Sequence, residues 1–241
     1  MTTTSNDKTK IKEAEEAFIT YPARPTTGPP VDSALWRAAE RRGYDDYSAN
    51  IIYSAKYNGW RVLLHVPTGV CFNRKLKPLS ITDEFEDAIT HIQERVKDVA
   101  DVLTHTEGGN PFSHGYEWLD CEGLERRHGI GRGTLIALDV PSMGDSTAED
   151  RYTALTILFD RLSVHEKPDS NSVYVPSHFP PEAVEVINSD LYQINKEWNA
   201  EYYEGVVAVK ADSKYPTQLV SAEKKTPDWV KHRWNDVDAN S

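Results

Sequence analysis

The sequence predicts an α+β fold with largely antiparallel sheets flanked by helices, and three observations predict it. Strand-like and helix-like runs follow one another without regular alternation, which disfavours a doubly wound parallel sheet. Asn58-Gly59 and Thr68-Gly69 are turn signals between short β-branched and aromatic runs. From Asp83 to Val102, apolar residues recur at steps of three and four, the signature of one buried helical face.

Taken in order, the polar residues 1 to about 9 offer no core, and Ile11 to Ile19 suit a short helix before the Pro-rich stretch Tyr21 to Pro30. Residues 1–30 are therefore expected to be a flexible segment and linker, 31–234 the folded domain and 235–241 a tail. Asp32 and Ser33 can cap a helix over Ala34 to Arg42, which Gly43 would end. Asn50 to Ala55, Trp60 to Val66 and Val70 to Asn73 read as three antiparallel strands. The periodic helix follows, with Phe85, Ala88, Ile89, Ile92, Val96 and Val99 on its buried face. Glu117 to Leu124 and Thr134 to Val140 read as a hairpin about Arg126 to Gly133, and Ala154 to Leu162 as a helix. Pro180 and Pro181 suit the first turn of a helix running to about Trp198, because a missing N–H is harmless there. Gly205 to Lys210 and Gln218 to Ala222 complete the strands.

With 241 residues, 39% of them hydrophobic, the chain can bury a core without metals or disulfides. Neither a membrane-spanning run nor a signal-peptide apolar region is visible, so a cytoplasmic location without membrane partners is expected. Cys71 and Cys121 sit in strand-like runs and read as reduced, buried thiols. A net charge of −11 excludes a generic nucleic-acid coating protein while leaving room for a local basic groove. Gly129-Ile130-Gly131-Arg132-Gly133 lacks the Lys-Ser/Thr and helix of a phosphate loop and reads as a plain loop. Trp229 reads as buried packing beside Lys231.

Lys56 stands at a strand end before Asn58-Gly59, where an amine faces a cleft if the strand is buried. A lysine attacks phosphorus only as the neutral amine, a form that burial and nearby cations favour. On its own, Lys56-Tyr57-Asn58-Gly59-Trp60-Arg61 equally suits a surface lysine before a tight turn.

Later segments change that balance. Lys56 to Arg61 resembles the KxDG nucleophile motif of covalent nucleotidyltransferases, the superfamily of ATP-dependent DNA ligases, RNA ligases and mRNA capping enzymes. Phe72-Asn73-Arg74 resembles the second family motif, and Leu119-Asp120-Cys121-Glu122-Gly123-Leu124 the Asp-Gly-Glu strand. Leu135 to Val140 is similar to the strand that supplies a purine-stacking side chain, Glu204 to Lys210 to EGxxxK, and Trp229 to Arg233 to WxKxK. The resemblance runs over residues 50 to 234 in the family's order.

It implies an ATP-grasp-like ligase adenylation domain with Lys56 as the residue that becomes adenylated, and Lys210 and Lys231 as catalytic cations. Ser54, Ala55, Arg61, Arg74, Glu122, Leu138, Val207 and Arg233 would bind the nucleotide, and Glu204 and Glu122 would hold Mg²⁺ or Mn²⁺. ATP would be the cofactor, and a nucleic acid with 5′-phosphate and 3′-hydroxyl ends the partner. The chain departs from the pattern with Asn58 for Asp, Ser54 for the Glu often found there in DNA ligases, Leu138 for an aromatic residue, and a Glu204-to-Lys210 spacing one residue longer than usual. Since eight residues follow Arg233, no C-terminal OB-fold is expected, and a protein partner could replace it. The form of the lysine motif is closer to DNA ligases. An RNA ligase is the alternative, ahead of a capping-type guanylyltransferase or a non-catalytic end-binding protein.

Overall fold

A computed structural model describes residues 5–18, 20, 24–27, 51–104, 115–124, 129–216 and 225–234. The expected helix over Ala34 to Arg42 and the strand over Gln218 to Ala222 lie outside them.

Among the described residues the strands form two sheets, and the α+β class with largely antiparallel sheets holds. The first sheet has the order β1-β11-β10-β2-β9, from β1 (Pro25–Thr27), β2 (Ile51–Tyr57), β9 (His178–Phe179), β10 (Tyr203–Lys210) and β11 (Thr226–Arg233). The second has the order β4-β3-β5-β6-β8-β7, from β3 (Trp60–His65), β4 (Val70–Phe72), β5 (Trp118–Leu124), β6 (Thr134–Asp139), β7 (Arg161–Leu162) and β8 (Val173–Pro176). Among the described strands, parallel pairing is confined to β1 with β11, β6 with β8, and β7 with β8.

The described α-helices are α1 (Ser5–Glu16), α2 (Glu86–Thr104), α3 (Ala148–Leu158) and α4 (Val184–Trp198). Helix α2 buries Ala88, Ile89 and Ile92, with Val96 and Val99 packed beside them, on Val62, Leu64, Cys121, Leu135 and Ala137 of the second sheet. This is the face its periodicity marks. Helix α4 buries Val184, Leu191 and Ile194 in a cluster with Tyr53, Ala55, Tyr57 and Val206 of the first sheet. Strand residues alternate between faces, so Ile52, Ser54 and Lys56, one step out of phase with that cluster, face away from α4.

Strands β8, β9 and β11 have no counterpart in the sequence reading, and three further elements differ from it. Asn58-Gly59 does not close a hairpin: β2 pairs with β10 and β3 with β5, so the turn carries the chain from one sheet to the other. Helix α3 starts six residues earlier than expected and stops at Leu158, while Arg161–Leu162 forms strand β7. A capping box between Thr147 and Asp150 satisfies the first turn of α3 and fixes that start. The Pro-rich stretch contributes β1, and Ala14 of α1 packs with Leu63, Phe72 and Trp118.

Gly205 holds β10 against β11 at φ +142°, and a Cβ there would lie 2.0 Å from the His232 carbonyl oxygen. Gly205→Ala is expected to cost about 1–3 kcal/mol from backbone strain alone, with further loss from the clash. Urea unfolding checks it, and a midpoint equal to wild type would show that β11 can move aside.

Candidate functional site

A cleft lies between the two sheets, with about 770 Å³ of unfilled space including its open mouth. Ser54, Ala55, Lys56, Arg61, Glu122, Leu138 and Val207, all expected at the site, line it. The register explains this convergence. Val207 pairs with Ser54 and with Lys231, and Gly205 pairs with Lys56 and with Arg233, which puts these side chains on one face of three adjacent strands.

Glu204 joins them through a bulge. Tyr203 pairs with Tyr57 and Gly205 with Lys56, which leaves Glu204 as the extra residue. Its Oε1 accepts from Lys56 Nζ at 2.5 Å and from Arg233 Nη2 at 3.0 Å, and its Oε2 lies 2.9 Å from Arg233 Nε. One carboxylate thus holds two of the expected site cations.

The Asn58-Gly59 turn brings Glu122 beside this group. Gly59 N–H donates to Glu122 Oε1 at 2.9 Å, and a Cβ on Gly59 would meet the Gly123 carbonyl oxygen at 2.6 Å and Glu122 Cγ at 2.9 Å. Asn58 donates from Nδ2 to the Glu201 carbonyl at 2.9 Å, and its N–H donates to the Tyr202 carbonyl at 2.9 Å. An aspartate could not make the first of these bonds, so the departure from Asp ties the lysine turn to the approach of β10.

Behind the cleft lies a buried network. Arg61 forks onto Asp120, which also accepts from Tyr215 Oη at 2.7 Å. Arg151, fully buried, donates to Asp139 at 2.6 and 3.2 Å and to the Ser146 and Ser213 carbonyls at 2.6 and 3.1 Å. These bonds fix the β10–β11 connection to the second sheet.

Burial raises the Glu122 carboxyl above the usual range, against the lowering effect of Lys56, Arg61 and the Gly59 N–H. An acid raised in the folded state gives stability that is full below its unfolded value and is lost as pH rises through its folded one. Glu122→Gln keeps an acceptor for Gly59 and removes the buried charge. The stability of Glu122→Gln relative to wild type is therefore expected to improve between pH 4 and pH 8. Thermal midpoints at the two ends check the trend, and a decline would mean that the cations outweigh burial.

Other expected site residues fall outside the cleft lining. Lys210 pairs with Ile51, one step out of phase with Val207 and Val209, and its Nζ lies 3.3 Å from Asp212 Oδ1. The extra residue in its spacing puts it on the other face. Arg74 is an exposed residue in the turn after β4. Lys231 flanks the cleft through its pairing with Val207.

No family model matches the sequence, and no curated protein matches it. Solved structures do. A mycobacterial DNA ligase D complexed with ATP and MES superposes with a TM-score of 0.51 at 17% identity, covering 90% of this chain and 60% of that one. The ligase domain of M. tuberculosis LigD gives 0.52 at 17% identity, over 89% and 59%. Over about nine-tenths of its length the chain shares the fold of these two ligase structures. It spans about 60% of the length of these two structures.

In this ligase-type fold the cleft has further walls that sequence reasoning missed, namely Tyr152, Pro176, His178 and Trp229. Strand β9, which carries His178, has two residues, below the length at which alternation can be read. Trp229 was readable as packing, and it is indeed buried against Tyr215, yet it also borders the cleft. Among the described residues, no helix is long and apolar enough to cross a membrane.

Proposed function

We propose that this chain is the nucleotidyltransferase unit of an ATP-dependent polynucleotide ligase, with Lys56 as the residue that carries AMP. The observation behind this reading is the Lys56 amine held at 2.5 Å on Glu204, itself clamped by Arg233, inside an interstrand cleft. Glu204 is placed to take the proton that the amine must lose. Nitrogen then bonds to the α-phosphorus of ATP as the bond to pyrophosphate breaks. Lys231 and Arg233 offset the charge that develops on the phosphates, and Glu122 accepts from a ribose hydroxyl.

AMP next passes to a 5′-phosphate end, and a neighbouring 3′-hydroxyl displaces it to form the phosphodiester. Glu122 and Glu204 fit a hydrated Mg²⁺ or Mn²⁺, since two carboxylates plus waters suit such an ion. When bound, the ion would neutralise phosphate charge.

Labelled ATP, Mg²⁺ and denaturing electrophoresis test the reading: a covalent, acid-labile adduct supports it, and its absence sinks it. DNA is favoured as the polymer by the form of the lysine motif, with RNA the second reading. Sealing of a nicked duplex DNA beside nicked RNA decides between them, and joining of RNA alone would overturn the preference.

A further inference from the structure

We propose that His178, braced by Tyr152, reads the edge of the purine base of the nucleotide held in the cleft. The assignment rests on the nucleotidyltransferase reading and names the side chain that gives that site its base preference. A purine offers two flat faces and a hydrogen-bonding edge. The cleft supplies aliphatic walls in Leu138 and Val207, whereas its charged groups, Lys56, Arg61 and Glu122, suit phosphate and sugar. Among the uncharged polar side chains of the lining, Ser54 and His178 are cross-strand partners between β2 and β9. Of the others, Tyr152 Oη is taken by the Pro176 carbonyl, Tyr57 belongs to the cluster against α4 and Trp229 is buried against Tyr215. Lys56 follows Ser54 by two residues on the same face, roughly 7 Å along the strand, so base edge and reacting phosphate would occupy opposite ends of the cleft.

Several contacts fix the imidazole. Its ring stacks on Tyr152 with centroids 3.2 Å apart, Tyr152 Oη donates to the Pro176 carbonyl at 3.1 Å, and the Arg161 guanidinium lies 5.6 Å from the other ring in the stack, that of Tyr152. Burial, aided by Arg161, pushes His178 down to about 3, which keeps the ring neutral at working pH. A neutral imidazole has one donor and one acceptor nitrogen. Neither nitrogen takes a hydrogen bond from the described residues, and the ring lines the cleft, where a base edge can reach it.

The test compares adduct formation from ATP and from purine riboside triphosphate, which lacks the 6-amino group, in wild type, His178→Phe and His178→Gln. Wild type is expected to prefer ATP. Phenylalanine keeps the stack without nitrogens and should raise the half-saturating ATP concentration about tenfold, leaving the maximal rate within about threefold. Its preference for ATP over the analogue should collapse. Glutamine, a neutral donor and acceptor, should retain part of that preference. Equal labelling of wild type by both nucleotides overturns the assignment without any variant, as does a His178→Phe protein with wild-type ATP dependence and preference. Wild type that forms no adduct with either nucleotide removes the underlying reading instead.

Discussion

Lys56→Ala is expected to abolish adduct formation with ATP while leaving the fold intact. Deleting a covalent nucleophile costs on the order of 10⁴- to 10⁶-fold in turnover, because binding and electrostatic stabilisation survive but the bond-forming atom is gone. Stability should change little. Glu204 loses one of two cationic partners and keeps Arg233, at 2.9 and 3.0 Å, so no carboxylate is left buried and alone. A loss well short of the roughly 3–5 kcal/mol of a buried pair broken outright is expected, because the carboxylate keeps a cation. Denaturing electrophoresis with labelled ATP and a thermal melt together separate the two effects. An adduct that persists in Lys56→Ala would place the nucleophile elsewhere; Lys210, on the opposite face of β10, is poorly placed to replace it.

Much of this site was legible because it depends on alternation. Ser54 and Lys56, and Gly205 and Val207, are spaced two apart at strands readable from the sequence, which already puts each pair on one face, whereas the strand that carries Lys231 and Arg233 is not among those the sequence predicts. What alternation cannot give is which strands are neighbours. Asn58-Gly59 has the composition of a hairpin turn, yet its flanking strands join different sheets, a choice made by the distant partners β10 and β5. The bulge at Glu204 is equally silent in sequence, although the extra residue before Lys210 is its trace. His178 and Tyr152 escaped because a two-residue strand and a stack between separate segments leave no periodic mark.

Arg151→Met is expected to cost about 3–5 kcal/mol, the penalty for breaking a buried ion pair by removing one partner. At this chain length that corresponds to roughly 6–20 °C in thermal midpoint. Asp139 is 5% exposed and would be left without its cation, and the Ser146 and Ser213 carbonyls would lose their donor. Burial already raises the Asp139 carboxyl in the intact protein, even with Arg151 beside it. Without Arg151 it rises further, and the residue protonates rather than stay charged. The deficit of Arg151→Met should therefore shrink as pH falls, since protonation removes the orphaned charge.

Combining Arg151→Met with Asp139→Leu should recover much of the loss, as apolar replacements of both partners often do. Function should follow the geometry. Ser213 lies on the connection between β10, which carries Glu204, and β11, which carries Lys231 and Arg233, so loosening it shifts the clamp on Lys56. Adduct formation by the double variant is expected to stay below wild type even where stability returns, because the apolar pair cannot hold the Ser213 carbonyl. Full recovery of both would show that packing alone sets the position of β10 and β11.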